Sequence, residues 1–203
     1  MTINYPLKKD FIDLLLSTRR QGVENVVHEL ESLGFFQAPA SRESHLSYDG
    51  GLVEHSLNVC HVATRIAEEM CTLCPGLEVP EESLVITSLL HDLCKTTRYY
   101  NKKEAVHADG TTELTYIKDY SHFPIGHGEK SVIQLLRWGL ELTEDEMLAI
   151  RYHMGPWQLS MTNEESQRDY REACTHHPLV TILQTADTLA AQIIETFEKK
   201  DRI

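Results

Sequence analysis

The sequence predicts an all-α helical bundle with one small β-hairpin insertion, and three observations carry that expectation. Apolar residues recur at three- and four-residue spacings through most of the 203 residues. One stretch, around Asp109-Gly110, has strand-like runs on both sides of a hairpin turn signal. The composition, 41% apolar and 25% charged, is that of a globular chain long enough to bury a core.

Taken in order, residues 10–20 read as a short amphipathic helix with Phe11, Leu14, Leu15 and Leu16 among polar neighbours. A second helix runs from about Val23 to Leu33, with Val23, Val26, Val27, Leu30 and Leu33 on one face and Gly34 as its stop. Pro39 and the Ser41–Ser47 stretch form a polar connector. Tyr48-Asp49-Gly50-Gly51 makes a turn ahead of a long helix, about Leu52 to Cys71, which Pro75, Gly76 and Pro80 close off. Pro80-Glu81-Glu82 opens the central helix, with acidic residues where the helix dipole favours them. Arg98-Tyr99-Tyr100 and Leu114-Thr115-Tyr116-Ile117 are the two arms of the hairpin. Helical patterning resumes near His127, again over Thr143–His153, and finally from about Pro178 to Lys199. There is no internal repeat and no low-complexity segment.

Charge and cysteine usage narrow the function classes. A formal net charge of −12 argues against a surface that tracks extended nucleic acid or an acidic membrane. A small phosphorylated ligand held by a metal stays compatible. The five cysteines, Cys60, Cys71, Cys74, Cys94 and Cys174, are odd in number and unevenly spaced, which reads as reduced and cytoplasmic. Cys71-Thr72-Leu73-Cys74 is a lone CxxC without the second pair that a zinc knuckle needs. No window approaches the run of about 18 apolar residues that a membrane span requires, and the N-terminus has no signal-peptide architecture. Histidine, at 11 copies, is the outlier, and imidazole is the commonest metal ligand.

The chain is organised around Leu89-Leu90-His91-Asp92-Leu93-Cys94-Lys95, where an apolar run leads into a His-Asp pair. By chance alone, roughly one such pair arises for every two chains of this composition. Its weight comes from distant residues. His55 shares a helix face with Val59, Val62 and Ile66, so its imidazole is expected to point inward. Asp187 shares a stripe with Val180, Leu183, Ala190 and Ile194, and a carboxylate on a core stripe costs several kcal/mol unless it is paired or bound to metal. Three helices thus each aim metal-ligand chemistry inward. His127, between Gly126 and Gly128 at a helix start, and His153, at a helix end, look placed as well. Each of these residue types equally serves as a hydrogen-bonded core or cap residue, and the joint pattern is what favours a divalent metal.

The order His55 … His91-Asp92 … Asp187 resembles the H…HD…D signature of the HD superfamily of metal-dependent phosphohydrolases, over roughly Ser44 to Ile194. Gly50-Gly51-Leu52-Val53-Glu54-His55-Ser56 looks like the Gly-Gly-Leu-x-x-His-Ser/Thr entry of one branch, which includes the HD domains of bacterial 3′–5′ exoribonucleases. His91-Asp92-Leu93-Cys94-Lys95 is similar to the family's His-Asp-Ile-Gly-Lys, with Cys94 in place of the glycine. A cysteine there is small and adds an oxidation-sensitive thiol.

The resemblance implies one HD domain over residues 1–203, with 1–43 as a helical extension and 44–198 as the metal-binding core. It implies that His55, His91, Asp92 and Asp187 hold one divalent ion, of Mn, Fe, Zn, Ni or Mg. In binuclear members, residues placed like His127 and His153 supply two more ligands and Asp92 bridges; in mononuclear members they contact the substrate phosphate. Both alternatives stay open. Asp92 and Lys95 are the expected catalytic residues, Lys95 lying one turn beyond His91 if the helix continues. Arg98, Arg151, His45 and Trp157 are candidates for binding substrate, by phosphate pairing or base stacking. The expected reaction is hydrolysis of a phosphomonoester or phosphodiester of a nucleotide-like substrate, in a protein that acts alone or as a homodimer. The alternatives are a non-catalytic nucleotide-binding HD domain and a di-iron HD oxygenase.

Overall fold

The structure, a computed structural model, describes residues 5–96, 100–106, 109–119, 123–159 and 162–196. Its helices are α1 (Tyr5–Ser17), α2 (Val23–Ser32), α3 (Gly51–Leu73), α4 (Glu81–Leu90), α5 (His127–Arg137), α6 (Glu144–Tyr152), α7 (Glu164–His176) and α8 (Pro178–Leu189). Strands β1 (Tyr100–Val106) and β2 (Thr112–Lys118) pair antiparallel as a hairpin, with Tyr100 opposite Lys118 and Val106 opposite Thr112. The expectation of an all-α body with one small hairpin is met. Arg98 and Tyr99, expected in its first arm, lie outside the described residues. Among the described residues no helix is long and apolar enough to cross a membrane.

α4 is the axis of the bundle. Every residue from Ser83 to Leu90 is buried, so it has no solvent face and packs against α1, α3, α6 and α8. Two cores flank it. One joins Phe11, Leu15, Val26, Leu30, Phe35 and Phe36 of the N-terminal segment to Leu52, Ile86, Leu89 and Leu93. Phe11, Phe35 and Phe36 pack ring on ring, with centroids 5.2–5.5 Å apart. The other joins Val59, Ala63 and Ala67 of α3 to Leu179, Val180, Leu183 and Ala186 of α8. His55 falls on α3 between Leu52 and Val53, which serve the first core, and Val59 and Ala63, which serve the second.

A buried ion pair ties the N-terminal segment to α6. Arg20 donates through both Nη atoms to the two oxygens of Glu146, 2.8 Å each, and Glu146 is fully buried. Ser83 of α4 donates to the same carboxylate at 2.7 Å. Glu146 also closes the capping box of α6 with Thr143, so one side chain satisfies three segments.

The approach to α3 requires glycine. A Cβ at Gly51 would lie 2.0 Å from the Leu46 carbonyl oxygen, so the connector seats on the helix start only if that position has no side chain. Gly128 plays the same part for α5, since its Cβ would meet the Arg151 carbonyl at 2.4 Å. The glycine beside His127 therefore serves to bring α5 onto α6.

Three local features differ from the sequence reading. The central helix ends at Leu90, and residues 93–95 form a 3-10 turn, so Lys95 is not one α-helical turn beyond His91. The segment between His153 and Pro178 contains α7, whose residues are almost all exposed or half-buried and give little apolar periodicity. α8 does not continue as regular helix: Ala190–Ile194 form a π-turn that leaves Ile194 exposed rather than on the Asp187 stripe.

Candidate metal centre

Five segments deliver side chains to one point. His55 comes from α3, His91 and Asp92 from the end of α4, His127 from the first position of α5, His153 from the end of α6, and Asp187 from α8. His55, His91, Asp92 and His153 are at most 1% exposed. Asp92 is the hub. Its Oδ2 lies 3.4 Å from His91 Nε2 and 3.7 Å from His55 Nε2. Its Oδ1 lies 3.4 Å from His153 Nε2 and accepts from His127 Nε2. Asp187 Oδ1 sits 3.2 Å from His55 Nε2 and 4.0 Å from His91 Nε2.

The imidazoles are oriented by the ends of their own helices. His91 and His153 cap α4 and α6, and each donates its Nδ1–H to the carbonyl three residues back, Ser88 at 2.8 Å and Ile150 at 2.7 Å. Those carbonyls belong to the last turn, where no intrahelical donor is left for them. His55 donates Nδ1–H to Glu195 Oε1 at 2.9 Å. In all three rings Nε2 faces the centre, buried and without a hydrogen-bond partner. Three orphaned imidazole nitrogens beside two carboxylates form a donor set suited to a divalent cation, with the opposite ring nitrogen already fixed.

The electrostatics agree. Burial disfavours the His55 cation, yet the carboxylates of Asp187 and Glu195 outweigh it and raise its pKa to about 9. Burial would raise Asp92, but Lys95 and the surrounding histidines hold it well below the usual carboxylate range. Burial keeps His127 neutral, with its pKa lowered to about 4. The histidines around it likewise hold Asp187 low against burial, so Asp92 and Asp187 are both anionic at neutral pH and draw positive charge between them.

Within reach of a cation the side chains fall into overlapping groups: His55, His91 and Asp92; His91, His153 and Asp187; Asp92, His127 and His153. A further group, His45, His55 and Glu195, adjoins them. Lys95 reaches Asp92 Oδ2 at 2.5 Å despite the break in the helix. Cys94 lies with its Sγ 2.8 Å from His127 Nδ1 and is buried, which pushes its thiol up to about 12.

A cavity of about 440 Å³ opens beside this cluster, lined in part by Arg42, His45, Lys95, Lys118, His127 and Met154. The hairpin forms part of its wall. Tyr116 donates its hydroxyl to Asp49 Oδ1 at 2.8 Å, and Lys118, on the same strand face, lines the cavity.

The six expected metal-ligating residues are therefore brought together, with Lys95 and His45 beside them. Arg151 pairs instead with Glu129 at 2.6 Å and stacks on Tyr152. Trp157 is 87% exposed, and neither residue lines the cavity. Arg98 lies outside the described residues. Arg42, Lys118 and Glu195 were not singled out from the sequence. The first two sit in a polar connector and at a strand end, where nothing in the sequence distinguishes them from surface charges. Glu195 is brought in by the π-turn.

The chain is 32% identical over 101 residues to a dihydroneopterin 2′,3′-cyclic phosphate phosphodiesterase from Methanocaldococcus jannaschii. That match takes in 50% of this chain and 36% of the relative. No solved structure matches the chain. The HD domain family matches residues 52–192, which contain His55, His91, Asp92, His127, His153 and Asp187. The chain therefore belongs to the HD domain family.

Proposed function

We propose that this protein is a metal-dependent phosphohydrolase that cleaves a phosphodiester of a nucleotide-like molecule. The observation that carries the reading is the convergence of three buried, partnerless Nε2 atoms on the carboxylates of Asp92 and Asp187. Membership of the HD domain family supports it. The diester class is taken from the relative named for a 2′,3′-cyclic phosphate.

In this reading His55, His91, Asp92 and Asp187 would hold one divalent ion, and His127 and His153, together with Asp92, would hold a second. A divalent ion supplies Lewis acidity, lowering the pKa of water and polarising a phosphoryl oxygen. The chain does the rest. Asp92 turns Oδ2 toward His55 and His91 and Oδ1 toward His127 and His153, so a single carboxylate serves both groups. Lys95, paired with Asp92, places an ammonium at the cavity wall, where it balances charge that develops on a phosphate oxygen. Arg42 and Lys118 line the same cavity. Arg42 is paired with Glu43 of the same wall, and Lys95 and Lys118 leave that wall net positive, which in a chain of net charge −12 supports an anionic substrate. In the same reading residues 44–198 are the metal-binding unit and residues 1–43 its N-terminal extension.

The test is metal content of the purified chain together with Mn²⁺-supported hydrolysis of bis-p-nitrophenyl phosphate and p-nitrophenyl phosphate. Bound metal, turnover that favours the diester, and loss of both in His91→Ala are expected. Bound metal without turnover of either ester would overturn the hydrolase reading. A chain that binds no divalent metal would overturn the metal centre itself.

A further inference from the structure

Glu195 lies outside the stretch that matches the family, eight residues beyond Asp187. Along a regular α-helix eight residues turn through about 800°, which would leave Glu195 roughly 80° from the Asp187 face. The helix is not regular there. Through the π-turn of Ala190–Ile194, the backbone N–H of Glu195 donates to the carbonyl of Ala190, five residues back. A π-turn absorbs one extra residue. Glu195 thereby takes the direction of a seventh residue, only about 20° from the Asp187 face.

The result inverts the usual burial order. Ile193 and Ile194 are 54% and 36% exposed, while Glu195 is 5% exposed. Burying a carboxylate and exposing two isoleucines is unfavourable on both counts, so the arrangement needs a compensating partner. That partner is His55. Glu195 Oε1 accepts from His55 Nδ1 at 2.9 Å and from Asn58 Nδ2 at 3.2 Å. Its Oε2, buried and without a hydrogen bond, faces His45 Nε2 across 3.7 Å.

A separate cation at His45, His55 and Glu195 is the competing reading, since the three are close enough to hold one. His55 argues against it. Its Nδ1 hydrogen is given to Glu195, and its Nε2 faces Asp92 and Asp187. A cation beside Glu195 would need the imidazole stripped of that hydrogen while the other nitrogen serves the main centre.

We propose that Glu195 is a positioning residue of the metal centre: the π-turn carries its carboxylate onto His55 Nδ1, which fixes the ring and raises the basicity of Nε2 toward a divalent cation. The inference rests on the metal reading given above. Histidine ligands backed by a carboxylate bind metal more tightly, and loss of such a partner typically weakens affinity by about 10–100-fold. The role belongs to the charge as well as to the shape, since an amide oxygen also accepts from Nδ1–H but attracts the positive ring less.

The experiment is Mn²⁺ titration of the full chain, followed by the electron paramagnetic resonance signal of the free ion. Wild type, Glu195→Ala, Glu195→Gln, His55→Ala and the His55→Ala/Glu195→Gln double variant are compared, with unfolding midpoints measured alongside. Glu195→Gln, which keeps side-chain volume, is expected to weaken binding by about tenfold, and Glu195→Ala by at least as much. In the His55→Ala background Glu195→Gln is expected to have no further effect, because the coupling runs through that ring. Glu195→Gln binding within about twofold of wild type would overturn the inference alone. So would an equal loss with and without His55, which would mark a merely structural role. A wild-type chain that binds no Mn²⁺, Zn²⁺ or Ni²⁺ would overturn the metal reading and this inference together.

Discussion

Tyr116 and Asp49 join the hairpin to the entry of the longest helix through one hydrogen bond, 2.8 Å from phenol to carboxylate. Tyr116 is 7% exposed, and Asp49 stands two residues before α3. Burial and the neighbouring carboxylate both raise the phenol pKa, so it remains a donor throughout the working pH range. Tyr116→Phe removes the bond without changing the ring. A net hydrogen bond of about 1 kcal/mol, or about a fivefold change in occupancy of the seated hairpin, is expected to appear as a raised KM with kcat and Mn²⁺ affinity unchanged. Steady-state kinetics with the preferred p-nitrophenyl ester check it, and an unaltered KM would show that the hairpin does not shape the substrate site.

The cavity cations lead to a second expectation. Arg42 and Lys118 line the cavity without being ligands. Burial, and after it the adjacent Lys95, lower the Lys118 pKa. Arg42→Ala and Lys118→Ala are each expected to raise KM about fivefold, with metal content unchanged. Added salt should weaken substrate binding less in these variants than in wild type. Kinetics at two ionic strengths measure this, and equal salt sensitivity would contradict it.

Removing Arg20 tests the link between the N-terminal segment and the bundle. Arg20→Ala leaves the fully buried Glu146 carboxylate with only the Ser83 hydroxyl and the Thr143 amide. Breaking a buried pair on one side is destabilising by about 3–5 kcal/mol. Urea unfolding should show a midpoint lowered accordingly, with Mn²⁺ affinity retained below it. A loss under about 1 kcal/mol would place this pair with weak surface ion pairs.

Metal affinity should depend on pH through His55. Its pKa of about 9 means that at neutral pH the free site carries a proton on the ring. A cation on Nε2 displaces that proton, so binding is favoured as pH rises and levels off above about 9. His127, already neutral with a pKa of about 4, adds no proton release above pH 6. With one proton displaced, affinity is expected to rise about tenfold per pH unit between 6.5 and 8.5. Mn²⁺ titrations at three pH values check the slope, and a flat profile would mean that binding displaces no proton from His55.

Much of this was legible in the residues. Val59, Val62 and Ile66 place His55 inward because helix periodicity converts sequence spacing into direction, and the structure buries His55 to 1%. The hairpin around Asp109-Gly110 and the helices up to His91 follow from turn chemistry and apolar spacing in the same way. α7 was not legible: of its side chains only Ala173 is buried, so the signal that periodicity relies on is absent.

The sequence by itself determined which residues are the candidates for the chemistry and which helices present them, because a 3.6-residue period is a local property. Only the tertiary structure decided what they meet. Asp92 divides its oxygens between two pairs of histidines because α3, α5 and α6 all end or begin against the C-terminus of α4, a result of long-range packing. Lys95 reaches Asp92 through a 3-10 turn rather than along a helix. Glu195 reaches His55 only because one π-turn shifts the register of the last helix by a residue. Such a shift costs backbone regularity and is retained where a buried partner offsets it. That partner lies 140 positions away in sequence, where no local pattern can announce it.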